Sequence, residues 1–528
     1  MLIILLSEEL HILFSILRIT DIREIVRIID RFGYSKQNSF GESALGRENS
    51  TVAKFRDLLG QNPTLSEEEL AHTVMGSSYS PERYKSLKAY FVSKAVHQIA
   101  LIDLAPSQHS EHTRAIFKGY KYLFFIRTLL TLGNRSAAMH FTKRLLHLSR
   151  KYELHFITVT LLDELCRDSV QRGKVKDYRK FHQLYNEQVE LYLSEAQVRL
   201  LEEQALINFS STLFVDESFT FEVLDSLNTI KLLVKKNETY FSKLSLFRLQ
   251  YIYYQISGNP LKSAEACENA IKYMKGKLHL SPSSRFAEFA IYKLENFILL
   301  RDYRKGREAA EYCKQQIKPN LMLWFAYKQY EFLLMMQTLK FTEAEKIYEQ
   351  VISHERYDSL SDASKKLWKL FGLHIKYVAQ SKQTSDGQFK KSYLSRNRDF
   401  RTLFIHFPSY RKDKRGFNIA ILTLNILVAL EEGKLDDILK QEDALSSYRF
   451  KYLNAKHCHQ SFVLFKLIRL VIKKEFDLEK VNEAASSIEK ELTIAKLRPG
   501  EVFENIQILP PEWIWSRIKA ILAERIGK

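Results

Sequence analysis

The sequence predicts an all-α chain, an α-solenoid of irregular helical hairpins with an N-terminal helical cap domain. Three observations carry this. Only 17 glycines and 10 prolines punctuate 528 residues, which favours long helices over many-stranded sheets. Apolar residues recur near helical spacing through most of the chain, clearest at Trp324, Tyr327, Tyr330, Phe332, Leu333 and Met336. Short polar or glycine-bearing turns return at comparable intervals, so each helix is followed by a partner folded back on it.

Taken in order, residues 1–33 predict two short amphipathic helices, with Ser7 and Thr20 as N-caps and Gly33 closing the second. Glu8 and Glu9 interrupt the apolar opening and no basic flank precedes it, which argues against a cleaved leader. A polar linker follows at 35–50. Residues 52–105 predict a three-helix bundle: 52–59, a short helix opened by the capping box Ser66 and Glu69, and a longer one capped by Ser80 with Pro81 at its first position. The long helix carries Tyr84, Leu87, Phe91, Ala95 and Ile99 on one side. The bundle is either a structural cap or a helix-turn-helix-like reader of DNA, with Arg83, Lys85 and Lys88 as the contacts in the second case.

Helical hairpins then fill 113–380. They span 117–148 about Gly133, 155–192 about Gly173, 198–235 about Asp216, 247–274 about Gly258, 286–317 about Gly306, and 321–352 about Lys340. The last is the cleanest, with a second helix bearing Ala344, Ile347, Tyr348 and Val351. A small residue at a helix crossing, with an aromatic one turn later, suits close antiparallel packing. Aligning Ala264, Gly306 and Ala344 as crossing points gives spacings of 42 and 38 residues. Residues 389–528 predict further helical repeats and a capping helix, with the almost wholly apolar 417–431 at their centre and Trp513 and Trp515 covering the last open face.

Residues 321–352 resemble a tetratricopeptide (TPR) hairpin, with Ala344, Tyr348 and Val351 on the second helix's small, aromatic and small positions. The spacing departs from that family's period of about 34 residues. The C-terminal part also resembles a set of uncharacterised bacterial TPR-like proteins. The residues involved are Asp413 to Asn418, Ala444 to Tyr448, Tyr452, Leu453, and Phe462 to Leu470. What the resemblance implies is helical stacking, in which no hairpin buries its apolar face alone; it implies no activity.

Composition bounds function. Lys and Arg number 80 against 62 Asp and Glu, a surplus of 18. Such a balance permits contact with nucleic acid, acidic proteins or anionic lipid and equally fits solvated basic faces. The densest basic stretch the reading selects is Lys390, Lys391, Arg396, Arg398, Arg401, Arg411, Lys412, Lys414 and Arg415, interleaved with aromatics. It is either a polyanion contact or the wet side of a helix whose rings are buried. His457, Cys458 and His459 have ligand chemistry but diverge around a helix, so no metal site is expected. Glycine-rich phosphate loops, GxSxG elbows and HExxH helices are all missing from the sequence, so neither cofactor nor enzyme activity is expected. Four widely spaced cysteines and no apolar run long enough for a bilayer point to a cytoplasmic protein without integral membrane association. The leading expectation is a scaffold or adaptor that binds a protein segment or peptide on its concave face. The alternative is a nucleic-acid-binding or transcriptional regulatory protein.

Overall fold

The structure is a computed structural model that describes residues 17–32, 51–62, 65–101, 109–211, 217–383, 417–436, 438–439, 459–494 and 508–526. Regular structure among them is entirely helical, which places the chain in the all-α class. Two compact units divide it, Met1–Phe141 and Thr142–Lys528.

One turn recurs at seven helix ends among the described residues. The helix ends, a single residue enters the left-handed region, and the next helix starts within two residues. Glycine takes that position at Gly133, Gly173, Gly258 and Gly433, whereas Glu153, Arg301 and Leu339 take it despite their side chains. The amide after the left-handed residue always reaches back across the turn. Asn259 N donates to Tyr254 O at 2.8 Å, Asp302 N to Phe297 O at 3.0 Å and Lys340 N to Met335 O at 2.8 Å. These are Schellman closures, which satisfy carbonyls that the helix end would otherwise leave unpaired. Glycine is favoured there because it lacks the Cβ that crowds the left-handed conformation.

In the first unit, helices α1 (Ile19–Phe32), α2 (Thr51–Gln61), α3 (Glu67–Met75) and α4 (Pro81–Leu101) share one core. Phe55 meets Phe91 edge-on at 5.3 Å and Tyr84 at 6.0 Å. The capping box forms as read: Ser66 N donates to Glu69 at 2.8 Å and Glu69 N to Ser66 Oγ at 3.3 Å. Two expectations change. Thr20 lies inside the first turn of α1 instead of preceding it. That helix also joins the bundle, since Ile22, Val26 and Ile29 are buried in the same core as Phe55 and Phe91. Helix α5 (Glu111–Thr131) belongs to this unit too, so the expected start of the repeats at 113 falls inside it.

The unit boundary falls within α6 (Arg135–Lys151). Beyond it come α7 (His155–Gln171), α8 (Val175–Ser211), α9 (Glu217–Lys236), α10 (Tyr240–Ile256), α11 (Pro260–Lys275) and α12 (Ser283–Leu299). They are followed by α13 (Tyr303–Gln316), α14 (Met322–Gln337), α15 (Phe341–Ile352) and α16 (Asp362–Gln383). From α7 to α16 each helix packs on the next, and α8 with α10 and α12 with α14 also pack directly. The predicted break between the second and third hairpins is missing, because α8 runs unbroken for 37 residues. Its middle, Leu193 to Gln197, holds no glycine or proline to stop a helix.

Small residues sit where hairpins meet. Ala264 and Ala344 are buried, and a Cβ added at Gly306 would lie 2.5 Å from Leu334 Cδ1 on α14. At the next crossing the Tyr348 ring of α15 occupies the space a side chain at Gly372 of α16 would need. The last helices are α17 (Phe417–Glu432), α18 (His459–Lys473), α19 (Leu478–Ile494) and α20 (Pro511–Ile526). Helix α20 packs on α17, α18 and α19. Its Glu512 accepts from Arg301 at 2.8 Å, its Trp513 ring lies 5.8 Å from Phe341, and its Arg517 donates to Glu431 at 2.8 Å. The C-terminal helix is thereby fastened to the hairpins of residues 283–352.

Two predictions follow from this packing. Gly306→Ala should lower stability by about 1–3 kcal/mol despite alanine's better helix propensity, because the fully buried Leu334 has nowhere to retreat. In urea unfolding, Gly306→Ala combined with Leu334→Ala should lose less than the two single changes summed; strict additivity would refute the contact. The second concerns His374 of α16, whose Nδ1 lies 2.9 Å from the Leu370 carbonyl oxygen and so carries the proton. Burial drives its pKa from 6.5 down to about 4. The unfolded chain therefore takes up that proton first, and stability should fall as pH drops from 6.5 towards 4, by up to about 3 kcal/mol. Urea midpoints across this range should fall less steeply in His374→Leu, and an unchanged slope would show that His374 is not the group involved.

Candidate interaction surface

Polar groups from distant parts of the second unit converge on helices α8, α10 and α12. Glu202 of α8 accepts from Ser245 Oγ of α10 at 2.6 Å and from the Arg248 guanidinium. Arg248, itself buried, turns its Nε to Glu288 of α12 at 2.7 Å, and Arg285 meets the same carboxylate at 3.1 Å. Burial is the largest influence on Glu288 and pushes its pKa up, but Arg248 and then Arg285 outweigh it and hold it below the usual range. Beside this chain the rings of Tyr251 and Tyr292 stack at 4.2 Å, and the Tyr251 hydroxyl donates to Glu295. Burial, then the Glu295 charge, raises the Tyr251 pKa far above normal, so it stays a neutral donor. Further along, Lys328 Nζ of α14 bridges Glu331 at 2.7 Å and Gln350 at 3.1 Å.

A second cluster lies where α7, α8, α10 and α11 meet. Glu153, the left-handed residue of the α6–α7 turn, accepts from Tyr240 N at 2.6 Å and from Lys277 at 3.3 Å. A carboxylate at the first amide of α10 also opposes the positive end of that helix. Glu195 accepts from Thr239 Oγ1 at 3.0 Å and lies 3.6 Å from His155 Nε2. Burial, stronger than the influences of His155, Thr239 and Arg199, raises the Glu195 pKa.

Next to these anchored groups is a less buried surface made by α10, α11 and their turns. Tyr240 and Tyr273 stack at 6.2 Å, and Phe247 meets Tyr273 edge-on at 6.0 Å. Lys277 lies 5.3 Å from the Tyr273 ring centre, and Lys243 lies 5.9 Å from that of Phe247. Tyr152 and His279 face each other at 5.9 Å. Tyr152, Phe247, Tyr273 and His279 are half-buried, and exposed Glu238 pairs with Lys243 at 3.3 Å. Rings with flanking cations and carboxylates can hold a chain segment by ring contacts and charge-assisted hydrogen bonds.

The residues selected from sequence fall elsewhere. Arg83 and Lys85 are exposed on α4, whereas Lys88 is buried with its Nζ 2.7 Å from Glu67 of α3. Lys88 therefore holds the bundle together and is not presented outward. Lys390, Lys391, Arg396, Arg398, Arg401, Arg411, Lys412, Lys414 and Arg415 lie outside the described residues, as do His457 and Cys458. Among the described residues no group of three His, Cys, Asp or Glu side chains is placed to hold a metal ion, and no helix is long and apolar enough to cross a membrane. Cys267 and Cys313 are buried free thiols, and burial pushes Cys313 up to about 12, so both stay protonated.

Glu153, Glu195, Glu202 and Glu288 escape the sequence, since lone carboxylates in helices and turns carry no local signal. The expectations also pass over residues 112–152, which hold nine Lys or Arg and not one Asp or Glu. Counting charges in a sliding window would have found that run.

The Arg248 network is testable. Arg248→Met leaves buried Glu202 and near-buried Glu288 without their guanidinium and should cost about 3–5 kcal/mol in urea unfolding. Adding Glu202→Gln should restore part of that loss, and no restoration would mean the pair is not coupled.

Comparison with known proteins adds no kinship: no family model, no curated protein and no solved structure matches the chain.

Proposed function

We propose that the protein is a non-catalytic helical-repeat scaffold, whose second unit stacks TPR-like hairpins in a solenoid and binds a segment of another protein. The observation that supports this most is the half-buried ring surface of Tyr152, Phe247, Tyr273 and His279 with Lys243, Lys277 and Glu238 around it. It lies beside side chains already anchored by ion pairs, so little side-chain freedom remains to be lost on binding. The ionisable groups nearby face one another in pairs, an arrangement suited to rigidity more than to turnover. The contacts of α8 with α10 and of α12 with α14, with the Arg248–Glu288 bond linking α10 to α12, support a stacked arrangement.

A photoreactive residue placed at Tyr273 in the full chain should cross-link to one contiguous peptide of a co-purifying protein, identified by mass spectrometry. Lys277→Met should weaken that capture about ten-fold or more, whereas Glu153→Gln, which breaks the same ion pair but keeps the surface lysine, should lower the melting temperature by a similar amount and leave capture nearly intact. Cross-links scattered over many proteins, or capture indifferent to Lys277, would count against this surface.

A further inference from the structure

We propose that the exposed face of α5, in the first unit, binds single-stranded nucleic acid, with rings stacking on bases and cations meeting phosphates. The inference stands apart from the scaffold reading, since it uses none of the same residues. The exposed line consists of Phe117, Tyr120 and Phe124, which are 53%, 54% and 75% exposed. Their spacing of three and four residues puts all three on one side of the helix. The opposite side is the packed one: Ala115, Gly119 and Ile126 are buried and half-buried Tyr122 lies 6.2 Å from Phe141, while Phe125, 5.1 Å from the same ring and 42% exposed, sits at the margin of the exposed line. Three large rings left in water on a helix whose other face is satisfied mark a surface that awaits a partner.

Charge decides the kind of partner. Helix α5 carries Arg114, Lys118, Lys121 and Arg127 against a single carboxylate, Glu111, at its first position. Within α5 alone the balance is therefore four cations to one carboxylate. A surface so one-sided draws in an anion and repels most basic peptides. Between an anionic membrane and a polynucleotide, the order of residues favours the second. Lys121 lies between Phe117 and Phe124 on the same side, and Thr128 and Thr131 continue the line towards the C-terminus. A wedge entering hydrocarbon would bury that ammonium and those hydroxyls, at a cost of several kcal/mol. A single strand instead presents alternating bases and phosphates, matched by alternating rings and cations. Rings take any base and cations any phosphate, so recognition should depend little on sequence.

The test uses the full-length chain with fluorescein-labelled oligo(dT) and oligo(U) in anisotropy titrations. Affinity should fall steeply between about 50 and about 200 mM salt, as released counterions require. Tyr120→Ala with Phe124→Ala should weaken binding about ten-fold or more, with the salt dependence kept. Lys118→Glu with Lys121→Glu should weaken it and make the logarithmic salt slope shallower by about 1.4, the single-strand value for two lost phosphate contacts. All four side chains lie at the surface, so circular dichroism melts of both variants should match the parent. Three results would overturn the proposal: no binding to either oligonucleotide at low salt, binding that both variants retain in full, or flotation with phosphatidylserine vesicles in place of oligonucleotide binding.

Discussion

Reversal of the chain at every hairpin is the constraint on which the rest depends. A helix that ends among others must satisfy its last carbonyls without water, and where only two residues separate it from the next helix it must do so within them. The left-handed residue with its six-residue closure solves both problems. The geometry is demanding enough that Glu153, Arg301 and Leu339 are held in it against their own preference. Two of these three gain a further role from that position: Glu153 reaches Tyr240 N and Lys277, and Arg301 reaches Glu512 and Gln460. Turn residues in this protein are thus also joints between distant helices.

The side-chain contacts between successive helix pairs show how helices of unequal length stay in register. Apolar contacts alone tolerate sliding, because leucine, isoleucine and phenylalanine exchange neighbours at modest loss. Buried charges do not, since a displaced guanidinium strands its carboxylate in a poor solvent. Arg248 between Glu202 and Glu288 admits one relative placement of α8, α10 and α12, and the Gly306–Leu334 contact similarly admits one placement of α13 against α14. Specific polar joints can therefore do the work that a uniform repeat length does in a regular array.

Much of the fold was legible in the sequence. Helical periodicity, scarce glycine and the turns at Gly133, Gly173, Gly258 and Gly433 are local properties, and the helices appear where those properties place them. The reading failed where local signals were silent or ambiguous. The expected hairpins at 155–192 and 198–235 divide α8, although Leu193 to Gln197 holds no glycine or proline to end it. It treated Lys88 as an outward cation because lysine is usually solvated, whereas Glu67, 21 residues earlier, draws it inside.

The sequence by itself determined that the chain is helical, where most of its reversals fall, and that it carries a large positive surplus. These follow from interactions within a few residues or from composition. Only the tertiary structure decided which carboxylates meet Arg248, which residue seats against Gly306, and which rings of α5 and α11 stay at the surface. Those outcomes depend on groups dozens of residues apart being brought within a few ångströms, and no local pattern records that.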